Sequence, residues 1–359
     1  MMRWLLVALA LLLLSSSPRE AQQAPREVPC PPKEPNSFCV LRGPLGYHMR
    51  PEIAFSPDGQ WLAVSWGPWQ GEEGDPMIWV WRVADGQLAW KYQAPRIGGV
   101  QFSSDGKLLA STEGPAVRIR EVGTWKELHT LRFEGLGAIA LAFSPSSRVL
   151  AVGAVFKFDF PWYHAGVILW DPHKGVEIGR IERAHQAIIT DLAFPSEELL
   201  VTGGSLYHDP YIRFWQLSTR RLVRSIYVAD GVRVIEISPN RKMLATLVRG
   251  TLAVWDVASG RELGSIDKPF VGLSFSPDGQ FLAGSERYSQ QEGRKLLEIW
   301  RVKGAVQDWQ VARTLQIPVP NPINHFLGSL SFSPDGKILA IRIGGVEESI
   351  QLWYVGDLQ

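Results

Sequence analysis

Phe55-Ser56-Pro57-Asp58-Gly59 recurs unchanged as Phe275–Gly279 and as Phe332–Gly336, and imperfect copies begin at Phe102 (FSSDG), Phe143 (FSPSS), Phe194 (FPSEE) and Ile237 (ISPNR). The seven starts lie 38 to 57 residues apart, which is the spacing of a repeat array. Each copy follows alternating apolar residues and precedes a short apolar run, such as Trp61-Leu62-Ala63-Val64 or Lys337-Ile338-Leu339-Ala340. Pro fixes φ, and Asp-Gly accepts turn conformations that other residues resist, so the phrase predicts a β-hairpin turn.

A third short strand follows and ends in Trp in six copies, at Trp81, Trp170, Trp215, Trp255, Trp300 and Trp353; Arg120 holds that place in the second copy. Most copies then offer a fourth strand, for instance Gln87–Lys91 or Arg261–Ile266. Four-stranded units cannot cover their own faces, but closed radially each covers its neighbour. The expectation is an all-β, seven-bladed propeller of four-stranded antiparallel blades.

In these motifs the chain resembles the WD-repeat β-propeller family, from about Phe38 to the C-terminus. Trp-Asp itself stands at Trp170-Asp171 and Trp255-Asp256, while Arg82, Glu121, Gln216, Arg301 and Tyr354 occupy the Asp position elsewhere. The resemblance implies a buried hydrogen-bond tetrad in one blade, formed by His185, Thr202, Asp209 and Trp215. Asp75 holds the matching place before Trp81, but Val64 replaces the hydroxyl residue there. The remaining blades lack the full set and are expected to rely on apolar packing.

Residues 1–21 read as a secretory signal peptide: Arg3, an apolar run from Trp4 to Leu14, then small residues. The run is shorter than the roughly 20 residues a membrane span needs. Residues 22–36, rich in Pro, Glu, Gln and Ala, read as an extended lead, and the propeller occupies 37–359. The chain is thereby expected to be an exported, bacterial member, periplasmic, envelope-bound or secreted. Its only two cysteines, Cys30 and Cys39, are a candidate disulfide, the alternative being two free thiols. The last copy ends just after its Trp strand, so the seventh blade lacks an outer strand. Phe38–Arg42 is positioned to supply it and close the ring.

Net charge is +1, which argues against non-specific nucleic-acid binding. By the resemblance, the loops between second and third strands share one end of the propeller. Four are long: Trp66–Asp75, Val155–Gly166, Ser205–Tyr211 and Glu286–Lys295. They carry Trp66, Trp69, Trp162, Tyr163, Tyr207 and Tyr288, aromatic anchors of the kind a binding surface uses; loop–loop packing is the alternative for any one ring. His164 and His208-Asp209 fall in equivalent loops, but a third metal ligand is not apparent. No serine stands at a strained Gly-flanked turn, no Cys-x-x-Cys-His occurs and no glycine-rich phosphate loop precedes a helix. The sequence thus points to a non-catalytic, cofactor-free, monomeric scaffold that binds a protein or peptide at its aromatic end. The alternative is a propeller that binds, or binds and acts on, a small molecule or carbohydrate at that end or in the channel.

Overall fold

In the computed structural model the described residues are 26–42, 52–66, 76–94, 97–159, 162–205, 209–248, 250–286, 294–319, 325–345 and 349–358. Trp66, Trp162, Arg294, His325, Phe326 and Gly345 among them are described by backbone alone.

Ser56 shows why the hairpin phrase recurs. Its Oγ accepts the Trp61 N–H (2.9 Å) and donates to Asp58 Oδ1 (2.5 Å), which also accepts the Gln60 N–H (3.0 Å). Gly59, at φ 71°, closes the turn by donating to Ser56 O (2.8 Å). Ser103–Asp105, Ser276–Asp278 and Ser333–Asp335 repeat the serine-to-aspartate bond. In the third copy Ser146 replaces Asp, and Glu197 of the next unit supplies the carboxylate, accepting from Ser146 N (2.5 Å) and Oγ (2.8 Å). The serine half of the turn survives without the aspartate, Ser144 Oγ still accepting the Val149 N–H (3.2 Å), and Glu197 ties the turn to the next blade.

Each turn joins the first two strands of an antiparallel sheet, and there are seven sheets. In six of them the spatial order of the four strands is their sequence order. Their first strands, Ile53–Phe55, Val100–Phe102, Gly137–Phe143, Ile189–Ser196, Val232–Ile237, Phe270–Phe275 and His325–Phe332, touch in sequence, and the last touches the first. The fold is the seven-bladed propeller that the repeat predicts.

The seventh blade is built from both ends of the chain. His325–Phe332, Ile338–Gly345 and Ser349–Tyr354 are completed by Ser37–Arg42, which pairs antiparallel to the last of them. Phe38 stands opposite Trp353, and their rings stack at 4.8 Å with planes 13° apart. The lead contributes more than its composition suggests: Arg26–Glu27 adds a short fifth strand, parallel to Ser37–Phe38. Cys30 and Cys39 are joined by a disulfide. Cys30 also packs on Gly86 (φ 67°) of the first blade, where a Cβ would stand 2.7 Å from the Cys30 Cβ.

The core lies between blades rather than within them. Cys39, Leu41, Ile350 and Leu352 of the seventh blade pack with Leu62, Val64 and Trp81 of the first. Comparable buried clusters fill the other six seams. Nearer the axis, side chains of one first strand accept backbone N–H groups of the next. Glu52 takes Val100 N (3.0 Å), Gln101 takes Phe143 N (2.9 Å), Asp191 takes Ile235 N (2.7 Å) and Glu236 takes Phe275 N (3.3 Å). Ser274 Oγ takes Phe332 N (3.3 Å). Burial pushes the Glu236 carboxyl up to about 8, and the nearby Asp191 charge adds to this, against the opposing pull of the Phe275 N–H.

Two outcomes follow from this closure. The disulfide shortens the unfolded chain's freedom by a loop of about ten residues, a contribution of about 2–3 kcal/mol. Reductant should therefore lower the melting temperature of the native protein but leave a Cys30→Ala/Cys39→Ala variant unchanged; equal sensitivity of the two would contradict the role. Glu236 keeps its proton in the folded state well above the pH at which the unfolded chain loses it. Its contribution is full below about pH 4.5 and is lost as pH rises towards 8. Glu236→Gln should match the parent's stability at pH 4 and exceed it by about 1–3 kcal/mol at pH 8–9. Parallel pH profiles in thermal melts would argue against it.

Candidate functional site: the tetrad and the hairpin of blades three and four

The fourth blade, Ile189–Ser196, Leu199–Gly204, Tyr211–Gln216 and Arg221–Tyr227, brings His185, Thr202, Asp209 and Trp215 together. All four are buried. The Trp215 Nε1–H donates to Thr202 Oγ1 (2.9 Å), which lies 2.8 Å from His185 Nε2; His185 Nδ1 lies 3.1 Å from Asp209 Oδ2. Among the four tetrad groups one proton order is consistent, indole to hydroxyl, hydroxyl to Nε2, and Nδ1–H to carboxylate, with the Arg213 Nη1 donor also standing 2.7 Å from His185 Nδ1. That order needs a neutral imidazole. Burial pushes the His185 pKa down, more than the hydrogen bond to Asp209 raises it, and the Arg213 charge adds to the fall. For Asp209, burial opposes the charge, yet hydrogen bonds from His185 and Arg213 hold its pKa down to about 2. Arg213 Nη1 reaches Asp209 Oδ2 at 2.6 Å, so the buried carboxylate has its counter-charge.

The other blades meet the same demand in other ways. Two residues after the partner of the terminal Trp, the second strand carries Thr202 in blade four and Thr246 in blade five, and Trp255 Nε1 donates to Thr246 Oγ1 at 2.9 Å. In blade two that place is Ser111, and the guanidinium of Arg120 donates to it at 3.0 Å in the position of the indole. Arg120 is buried, paired with buried Glu113 (3.2 Å) and stacked 4.1 Å from the Tyr92 ring centroid. Blade seven sends Trp353 Nε1 to Gln351 Oε1 (2.9 Å). The expectation that blades without the full tetrad rest on apolar packing therefore needs correcting for blades two, five and seven, which add a buried polar contact to it. A large polar group buried at the end of the third strand needs an acceptor, and several sequences provide one. Where the position is Val152 or Gly284, the indoles of Trp170 and Trp300 are buried with no acceptor among the described residues.

Asp209 also anchors the loop above it. Its Oδ2 accepts the Gln186 N–H (2.7 Å), and Gln186 O accepts the Tyr163 N–H (3.1 Å). Tyr163 belongs to the longest hairpin of the described fold, Leu150–Asp159 with Trp162–Asp171, ten residues a strand against six for the matching strands of blade four. Past a bulge after Val155, Lys157 pairs with His164, Phe158 with Tyr163 and Asp159 with Trp162. The Phe158 and Tyr163 rings meet at 4.7 Å, and Phe158 is 45% exposed. Asp159 accepts from Lys157 (2.8 Å), which holds its carboxyl below the usual range; His164 lies 3.5 Å away. Lower on the hairpin, Phe156 lies across Gly166, where a Cβ would stand 2.6 Å from its ring.

Of the six aromatic candidates, Tyr163 is the one whose side chain is described. Trp66 and Trp162 end strands and have described backbones; Trp69, Tyr207 and Tyr288 lie outside the described residues, as do His208 and Asp75. Among the described residues no three His, Cys, Asp or Glu side chains converge as a metal would require, and no helix is long and apolar enough to cross a membrane. Sequence reading passed over Phe158, Tyr211 and Tyr227. Tyr211 and Tyr227 face each other across the last two strands of blade four, 5.6 Å apart, with Arg213 over the Tyr211 ring. Their signal was the register of two tyrosines on neighbouring strands.

The solved structure of U3-55K superposes with a TM-score of 0.70 at 19% identity, covering 89% of this chain and 98% of that one. The fold is that of a WD40-repeat propeller. The RRP9 WD40 repeats match with a TM-score of 0.70 at 19% identity over 88% of this chain and 97% of that one. A chain of the mitotic checkpoint complex matches at 0.69 and 18% identity over 88% and 93%. No protein-family model matches the sequence.

The acceptor position carries a prediction. Thr202→Val strands both Trp215 Nε1 and His185 Nε2 and should cost about 1–3 kcal/mol. Val152→Thr keeps the volume and offers Trp170 an acceptor, so it should be neutral or stabilising by up to about 1 kcal/mol. Thermal and urea unfolding of both variants checks the pair, and a Val152→Thr loss as large as that of Thr202→Val would refute the shared geometry.

Proposed function

We propose that the chain is an exported, non-catalytic scaffold that binds a protein or peptide partner at the end of the propeller bearing the blade-three hairpin. The observation that carries this reading is the solvent-facing Phe158–Tyr163 pair held on a hairpin that is tied, through Gln186, to the buried tetrad. Exposed aromatic rings on a rigid support are what a partner buries at low entropic cost. The tether restricts the hairpin before any partner arrives, which reduces the ordering cost of association. Tyr211 and Tyr227 extend the aromatic character onto blade four. The leader at residues 1–21 supplies the export half of the reading.

The test compares the native chain with Phe158→Ala/Tyr163→Ala as baits in an extract of the source cell envelope. The variant should melt within about 1 °C of the parent, because these rings lie outside the core. A protein retained by the parent and lost by the variant supports the hairpin as the contact. Retention of the same proteins by both would place the contact elsewhere. The mass of the protein purified from that envelope should lack residues 1–21, and an intact N-terminus would argue against export.

A further inference from the structure

A second surface stands on the opposite end of the propeller, where strands three and four are joined. The outer strand of blade four, Arg221–Tyr227, ends its sheet, with no strand beyond it among the described residues. Leu222 and Val223 on it are 46% and 55% exposed. Between this strand and the turns of blade five runs a groove of about 340 Å³, lined in part by Val223, Arg224, Arg241, Lys242, Asp256 and Val257.

The charge in this groove is one-sided, although the whole chain carries only +1. Arg224 forms part of the wall: it donates to Val257 O (3.0 Å) and Ala258 O (2.7 Å) and lies over the Phe214 ring. The one carboxylate, Asp256, accepts from Ser259 N (2.7 Å) and Oγ (2.6 Å), and these bonds hold its pKa below the usual range. Arg241 and Lys242 are exposed at the rim and form no ion pair among the described residues, while the charges of Arg261 and Arg224 act on Asp256 and help hold its carboxyl low. The exposed Val223 side chain and two cations with no ion pair among the described residues therefore line one groove, bordered by the outer strand on which Leu222 is also exposed.

We propose that this groove docks an extended acidic segment of a protein partner. The segment's backbone adds to the free edge of Arg221–Tyr227, its carboxylates face Arg241 and Lys242, and its apolar side chains cover Leu222 and Val223. Strand addition supplies main-chain hydrogen bonds while alternate side chains supply selectivity. The concave shape and the strand edge favour a peptide over a flat anionic membrane. The surface shares no residue with the hairpin, so the two contacts fail or succeed separately.

The probe is a fluorescein-labelled peptide of about ten residues in which Glu alternates with Leu and Val, long enough to run the length of the strand. Its counterpart has Lys in place of Glu. Fluorescence anisotropy with the full chain should show binding of the acidic peptide and not of the basic one, weakening as salt rises from about 50 to about 300 mM. Arg241→Glu/Lys242→Glu and, separately, Val223→Asp should each raise Kd at least about tenfold at unchanged melting temperature. The Phe158→Ala/Tyr163→Ala variant should bind as the parent does. Failure of the parent to bind the acidic peptide, or equal binding by the charge-reversed variant, overturns the proposal. So does co-sedimentation with phosphatidylglycerol vesicles in place of peptide binding.

Discussion

Phe38 stacks on Trp353, and between those two rings the two ends of the chain meet. The pairing of Ser37–Arg42 with Ser349–Tyr354 supplies more than a missing strand. Each blade buries its faces only against the next, so the apolar cluster at every seam depends on the ring being shut. Were the last seam open, Leu62, Val64 and Trp81 on one side and Ile350 and Leu352 on the other would face water. The disulfide between Cys30 and Cys39, packed against Gly86 of blade one, sits at that seam and limits how far the closing strand can leave. Around the axis, five of the seven seams are also joined in polar terms among the described residues, a side chain on or beside one first strand accepting an N–H group of the next.

A second constraint acts within each blade. The third strand ends in a large polar-tipped side chain that is carried into the interior, and its N–H must find an acceptor or remain unsatisfied. Blade four meets this with a chain of four groups running to Asp209 and Arg213. Blade two meets it with a buried Arg120–Glu113 pair resting on Tyr92, an arrangement in which the desolvated charges compensate each other. Blades three and six leave the indole unpaired among the described residues. The repeat is thus conserved in geometry along this one chain more closely than in residue type.

The tetrad also links interior to surface. Asp209 holds Gln186, Gln186 holds Tyr163, and Tyr163 carries Phe158 on the exposed hairpin. A buried charge network that would otherwise be read as a stabilising device therefore also sets where an aromatic surface stands. The groove beside Arg221–Tyr227 has a different physical origin, because it arises where turns of two blades lie side by side and bring Arg224, Arg241 and Lys242 together with the single carboxylate of Asp256. The two surfaces occupy opposite ends of the ring.

The hairpin phrase was legible in the sequence because its physics is local: Ser, Asp and Gly bond and bend within five residues, and seven copies set the blade number. The order of strands and the need for Phe38–Arg42 to close the ring follow from the same count. The tetrad was legible through the resemblance to the WD-repeat family, which places an Asp, here Asp209, six residues before the strand-ending Trp215. Other features were settled only in three dimensions, because they join residues remote in sequence. Arg120 reads as a defect in a Trp position until Glu113, Ser111 and Tyr92 surround it. Glu197 binds the turn at Ser146 across a blade boundary, and Val223 lines the same groove as Lys242 only because two turns are packed side by side. Local sequence determined the strands, the turns and their number; tertiary structure decided which side chains of different blades meet, because closing the ring sets those distances and no short stretch encodes them.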